Sequence, residues 1–200
     1  ERLAVGDNFN PEIGYLRRDD IRRNYSYFRF SPRSRRVKAI RKYSSIGQLT
    51  YTQNGHGRLD TRIVDGEFAL EFQNSDRFAV GINDDYEYLK APFAVILPTV
   101  RVPIGGYRFT TGRIGYNFGQ QRPYSGNLLV ERGSFYTGDR TTITFNRSRL
   151  NLSPQFSLEP TASVNWVDLP QGKFTARLVG SRVTYTVTPL MFISAFVQYN

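Results

Sequence analysis

Residues 156–166 read FSLEPTASVNW, and their side chains alternate between apolar and polar along the stretch. A β-strand directs successive side chains to opposite faces of a sheet, so this alternation predicts a strand with one apolar face and one polar face. The apolar face would carry Phe156, Leu158, Ala162, Val164 and Trp166, and the polar face Ser157, Glu159, Thr161, Ser163 and Asn165.

The same alternation recurs along the chain and predicts about ten strands in series. The predicted strands cover residues 24–31, 37–52, 58–73, 77–89, 105–118, 124–136, 140–151, 155–167, 173–187 and 191–199. Tight connections alternate with longer ones, of which residues 90–104 form the longest. This parity indicates an antiparallel up-and-down meander, because outer-membrane barrels combine short turns at one end with longer loops at the other. Residues 1–23 are rich in turn-forming side chains and are predicted to be irregular, as an external loop or a plug in the lumen.

Apolar runs in this chain are too short for a transmembrane helix, which needs roughly 18–20 such residues. The run Ala94–Leu97, for example, is far too short. Only helices and closed barrels satisfy every backbone polar group in lipid, so membrane insertion would require a barrel. We therefore predict one all-β domain over residues 1–200, an antiparallel up-and-down transmembrane β-barrel of about ten strands that is incomplete in this chain.

Strand alternation assigns candidate residues to the two sides of the predicted barrel wall. The lipid-facing candidates are Phe68, Leu70, Phe72, Phe78, Val80, Ile82, Ile114, Tyr116, Phe118, Val164 and Trp166. The lumen-facing polar candidates are Glu67, Glu71, Arg113, Glu131, Glu159 and Arg182. Barrel interiors are polar and charged side chains there need partners, so the second set predicts a network of salt bridges.

The chain carries a formal net charge of +10, and many of its arginines fall early. The basic cluster comprises Arg17, Arg18, Arg22, Arg23, Arg33, Arg35 and Arg36. Anionic lipid headgroups near a barrel rim, a nucleic acid, or simply well-solvated loops would each accommodate such charge. Charge alone does not separate these three interpretations.

The sequence lacks the usual catalytic constellations. His56 is the only histidine and there is no cysteine, which excludes a multi-histidine or thiolate metal site and a thiol nucleophile. Glu67 and Glu71 share a strand face and could act as an acid–base pair on a glycoside, but membership of a salt-bridge network is the simpler interpretation. We predict no enzyme activity, no cofactor and no metal.

Two positions interrupt the alternation. Pro160 lies within the quoted strand, where a proline removes one ladder hydrogen bond, and a bulge there would accommodate it. Around Gly180 the apolar positions change phase, since Phe174 and Leu178 precede Val183. A bulge or a glycine kink is predicted there as well.

Four motifs in the same order make the chain similar to a large family of uncharacterised bacterial outer-membrane proteins. They are Gly6–Tyr15 followed by Arg17 and Arg18, Gly119–Pro123, Val130–Tyr136 and Asn165–Pro170. Members of that family carry an N-terminal sandwich similar to family-nine carbohydrate-binding modules, followed by a C-terminal barrel. The resemblance covers essentially all of the chain and falls in the barrel part. It implies that the barrel begins before Glu1 and continues beyond Asn200, and it supplies no catalytic residues.

The leading hypothesis is a bacterial outer-membrane β-barrel with a transport, anchoring or surface-display role, associated with carbohydrate binding through the missing N-terminal domain. Its expected partners are the lipid bilayer, lipopolysaccharide and other envelope proteins, with no nucleic acid. One alternative is a soluble β-sheet module that binds glycans or another acidic ligand, which would require a second layer over the apolar faces. A third is a basic nucleic-acid-binding module, which would bind duplex with a steep salt dependence.

Overall fold

The computed structural model describes residues 1–14, 19–94, 101–170 and 172–200, and strands are the only regular secondary structure in these ranges. The strands are β1 (Arg2–Val5), β2 (Ile21–Phe30), β3 (Ile40–Asn54), β4 (Leu59–Phe72), β5 (Arg77–Leu89), β6 (Phe93–Ala94), β7 (Arg101–Val102), β8 (Gly105–Phe118), β9 (Tyr124–Phe135), β10 (Gly138–Asn151), β11 (Phe156–Leu169), β12 (Gly172–Thr188) and β13 (Met191–Tyr199).

Eleven strands form one sheet in the order β1-β2-β3-β4-β5-β8-β9-β10-β11-β12-β13, and each neighbouring pair is antiparallel. The remaining two strands, β6 and β7, pair with each other inside the connection between β5 and β8. Neighbours along the chain are neighbours in the sheet, as short connections favour. The all-β, antiparallel, up-and-down prediction is confirmed.

The N-terminal region differs from the predicted irregular segment 1–23. β1 pairs with β2 from Arg2 opposite Asn24 to Val5 opposite Ile21, so that regular structure begins almost at the first residue. A four-residue strand is too short for alternation to be recognised, and β2 shows no apolar alternation at its start.

The sheet is open and does not close into a barrel; the prediction was a barrel of which this chain supplies only part. Among the described residues β1 and β13 are its two edges, and they do not pair with each other. A long edge strand presents unpaired backbone donors and acceptors to its surroundings. On β13 every residue is exposed, including Phe192 and Phe196 on one face and Ile193 and Val197 on the other.

The irregularity predicted at Pro160 lies on the neighbouring strand instead. β11 pairs with β12 without a shift through Pro160 and Gly180, so both predicted bulges on these strands are wrong. The register shifts on β10, where Arg147 has a positive φ of 49°. There the Ser148 hydroxyl donates a hydrogen bond to the Pro160 carbonyl. Pro160 has no backbone N–H to donate to β10. The bulge on β10 interrupts the hydrogen-bond ladder opposite the proline, so no donor is needed there.

The sheet has two chemically different faces, which we call inner and outer. The inner face carries small side chains that are almost completely buried although the sheet is a single layer, among them Ser44, Ala69 and Ala79. Their burial requires cover from neighbouring side chains on the same face. On β8 the less exposed positions alternate with exposed ones, which is the pattern of a sheet that curls toward its inner face.

An apolar cluster on the inner face closes around Val102 of β7, which is completely buried. Its members are Val102, Val167 and Leu169, with Leu89, Tyr107, Phe135, Tyr136 and Phe174 packed against them. The cluster therefore joins side chains of strands from β5 to β12 beneath the β6–β7 hairpin. The cluster also explains the phase change on β12, because Phe174 turns inward to pack and not outward.

Candidate functional site

The outer face carries one continuous apolar row across six neighbouring strands. In register the row runs Phe68, Val80, Ile114, Val130, Ile143 and Val164. Phe68 and Ile114 are 44% and 54% exposed, and no layer of the described residues covers this face. Uncovered apolar surface of this extent marks a site that meets another molecule or a membrane.

All of the lipid-facing candidates lie on this outer face. Leu70, Phe78 and Tyr116 form the next row, and Phe72 and Phe118 continue it toward the short turns. Ile82 follows Val80 by two residues on β5, and Trp166 follows Val164 by two residues on β11. Both lie on the outer face, one step closer to the longer loops. Together they make a band that extends from the short-turn end of the strands to the level of Trp166.

Beyond this band, toward the longer loops, the outer face becomes polar. Asp84 on β5 accepts hydrogen bonds from Arg62 at 2.6 Å, from Arg108 at 2.8 Å and from Thr110 at 3.2 Å. Trp166 lies at the boundary, in register with Thr141 and Thr175. The apolar band is thus bounded first by an aromatic side chain and then by charged groups.

The inner face is organised around Arg113 of β8. Its guanidinium crosses β5 to Asp65 of β4, with Nη2 at 3.0 Å from Oδ1, and also binds Asn83. Glu67 lies 3.8 Å from the same guanidinium and is bound by Arg77. The Arg113 and Asp65 side chains are only about one-fifth exposed, 20% and 19%. These side chains form one network over three strands.

Gly81 makes the reach of Arg113 possible. It lies on β5 between Glu67 of β4 and Arg113 of β8 in register. A Cβ placed there would approach the Arg113 Nε to 2.7 Å and the Gly66 carbonyl oxygen to 3.0 Å. The absence of a side chain at this position therefore opens the path by which one strand's arginine reaches over the next.

Asp76 connects two of the short turns, the one before β5 and the one after β8, through hydrogen bonds. It precedes β5 and is 3% exposed, and its carboxylate accepts bonds from the Gly119 amide at 2.7 Å, the Tyr116 hydroxyl at 2.8 Å and the Arg122 guanidinium at 2.9 Å. Burial by itself raises the pKa of Asp76, but these donors outweigh it and hold the pKa below the usual aspartate value.

We expect Asp76 to stabilise the fold at neutral pH and to lose that contribution in acid. Because its pKa is lowered in the folded state, the stabilisation is complete above the unfolded pKa, near 4, and disappears as the pH falls through the lower folded value. Asp76→Asn should lower the free energy of unfolding by about 1–3 kcal/mol at pH 7. Denaturant titrations between pH 7 and pH 2.5 should show a weaker acid dependence for this variant. Asp168→Asn, which removes a carboxylate that is 58% exposed, should change the free energy of unfolding at pH 7 by less than about 1 kcal/mol, and equal profiles for parent and Asp76→Asn would contradict the assignment.

The lumen-facing candidates do not all join one network. Glu67 and Arg113 do, and Glu131 lies opposite Arg113 in register. Glu71 binds Arg41 at 2.9 Å and Lys42 at 2.8 Å near the short turns. Glu159 and Arg182 lie opposite each other on β11 and β12, but form no ion pair within the described part of the chain.

The predicted basic cluster is divided between the two ends of β2. Arg17 and Arg18 lie outside the described residues. Arg22 and Arg23 begin β2 on opposite faces of the strand, whereas Arg33, Arg35 and Arg36 follow its far end in the connection to β3. The two groups are therefore roughly 30 Å apart at ~3.3 Å per residue, too far for one compact patch.

Several residues of the site were missed from sequence. Asp65 and Asn83 show the same period-two signal as Glu67 and could have been found by continuing its strand face. Asp76, Asp84 and Val102 gave no such signal, because the partners described above lie 22 or more residues away, or in a separate hairpin.

No family model, no curated protein and no solved structure matches this chain. Among the described residues no helix is long and apolar enough to cross a membrane. The same residues contain no group of three or more histidine, cysteine, aspartate or glutamate side chains placed to hold a metal ion.

Proposed function

We propose that this chain forms part of the wall of a β-barrel in the bacterial outer membrane, with a transport, anchoring or surface-display role. The observation that carries the proposal is the exposed apolar band on the outer face, opposite a charged and hydrogen-bonded inner face. A transmembrane barrel has this inversion, with apolar side chains toward lipid and polar ones toward the lumen. Lipid would cover the band, and further strands would cover the two open edges.

A single sheet fits this proposal better than it fits the soluble alternative. A soluble sheet with one apolar face needs a second layer over that face, and none is present among the described residues. The proposal also includes membership of the outer-membrane family that the four motifs resemble. It further includes the association with carbohydrate through an N-terminal module, which that resemblance implies. Among the described residues the basic cluster is split between the two ends of β2, which leaves no continuous surface there for a duplex.

Trp166 offers a direct test, because it is the only tryptophan in the chain. We expect the protein, refolded into phosphatidylcholine vesicles, to show tryptophan emission that is quenched strongly by lipids brominated close to the headgroup. Quenching by lipids brominated near the bilayer centre should be weaker, because Trp166 lies at the boundary of the apolar band.

The matched control moves the fluorophore to the inner face. In the double variant Trp166→Phe, Phe109→Trp, the new tryptophan replaces an aromatic side chain on β8 that faces inward. Brominated lipids should no longer quench it, whereas aqueous acrylamide should. Equal lipid quenching of both proteins, or none of either, would contradict a barrel wall oriented in this way.

A further inference from the structure

A groove of about 470 Å³ crosses the inner face toward the longer loops. Its floor is formed by two registered rows of residues, one running from Arg23 through Thr52 and Thr61 to Glu87. The other runs from Thr50 through Ile63 and Asp85 to Phe109. Leu3 and Ile21 complete the lining of the groove.

The groove carries opposite charges at its two ends. Arg23 on β2 is half-buried and forms no ion pair or side-chain hydrogen bond within the described part of the chain. Asp85 on β5, at the other end, has a buried Oδ1 without a hydrogen-bond partner among the same residues. Glu87 adds a second carboxylate at that end. Buried polar atoms in folded proteins are normally paired, so the unpaired Asp85 Oδ1, together with an arginine without an ion pair at the other end of the groove, indicates a missing ligand.

The separation of the charges limits the kind of ligand. Arg23 and Asp85 are three strands apart, about 14 Å at ~4.8 Å per strand, and the length of the arginine side chain shortens the gap between the charged atoms. A free amino acid is too short to reach both ends. An extended tripeptide spans roughly 10 Å at ~3.3 Å per residue.

The groove between the charges fits a peptide backbone. Three threonine hydroxyls, those of Thr50, Thr52 and Thr61, lie on the floor. Hydroxyls donate and accept, as amide groups require. Ile63 and Phe109 supply apolar surface for small side chains. A volume of about 470 Å³ lies within the usual range for small-ligand sites.

We propose that this groove binds a short peptide of about three residues with free termini, its amino group at Asp85 and Glu87 and its carboxylate at Arg23. The site goes beyond the barrel proposal, because it needs only the inner face and not a lipid-covered outer face. It gives the protein a ligand class that composition and charge do not indicate.

Calorimetric titration of the refolded protein with tri-alanine tests the site. We expect saturable binding that weakens about tenfold or more when the amino group is acetylated, and by a similar factor when the carboxylate is amidated. Asp85→Asn should weaken the preference for the free amino group, since only the Glu87 carboxylate remains at that end, and keep the preference for the free carboxylate. Arg23→Gln should do the reverse.

The control variant is Arg22→Gln, because Arg22 neighbours Arg23 on the same strand but lies on the outer face. It should bind tri-alanine as the parent does. No binding of tri-alanine, or binding that ignores both modifications, would overturn the proposal. The Trp166 quenching result is read separately: a protein that inserts but binds no peptide refutes only the groove, and one that binds peptide but does not insert refutes only the barrel.

Discussion

Leu128→Lys should largely prevent stable folding into lipid vesicles. Leu128 lies in the middle of the apolar band on β9, 40% exposed, between Tyr124 and Val130 on the same face. A lysine on the lipid face near the bilayer midplane costs about 2–4 kcal/mol in a transmembrane barrel. The free energy of unfolding from vesicles, measured by denaturant titration, should fall by that amount.

Leu129→Lys is the matched control, because it is the same substitution on the same strand with the side chain on the inner face. There the ammonium reaches water and lies near Glu131, so the loss should be a fraction of that for Leu128→Lys. If the outer face met water instead of lipid, Leu128→Lys would be tolerated at least as well as Leu129→Lys. That order would argue for the soluble alternative.

Arg113→Met should cause the largest loss of stability on the inner face. It removes the guanidinium that joins Asp65 to Asn83, and leaves these groups without their shared donor. Breaking a buried ion pair costs about 3–5 kcal/mol, and one-fifth exposure lowers our expectation to about 2–4 kcal/mol. Chemical unfolding of parent and variant at pH 7 measures the difference.

Lys173→Met provides the comparison, since Lys173 also pairs with an aspartate but is 75% exposed. Its loss should stay below about 1 kcal/mol. Adding Asp65→Asn to Arg113→Met should recover part of the loss, because the uncompensated carboxylate is then removed. Equal losses for Arg113→Met and Lys173→Met would show that the network contributes no more than a surface pair.

Period-two alternation is a property of each strand alone, which is why so much of the architecture could be predicted. The strand over residues 156–166, the band residues around Phe68 and Ile114, and the up-and-down order all follow from local side-chain pattern and from connection length. The same pattern predicted correctly that Glu67 and Arg113 lie on the polar face. Their joint network did not, because a sequence does not state which residues lie opposite each other across strands.

Sequence by itself determined the all-β antiparallel meander and the division of each strand into an apolar and a polar side. Only the tertiary structure decided the register, and register is what brings Arg113 over Gly81 to Asp65 and what separates Arg23 from Asp85 by the length of a groove. It also decided that the sheet stays open and that Val102 packs on the inner face. The physical reason is the range of the interactions: alternation acts between adjacent residues, whereas curl, register and buried charge networks depend on contacts between residues dozens of positions apart.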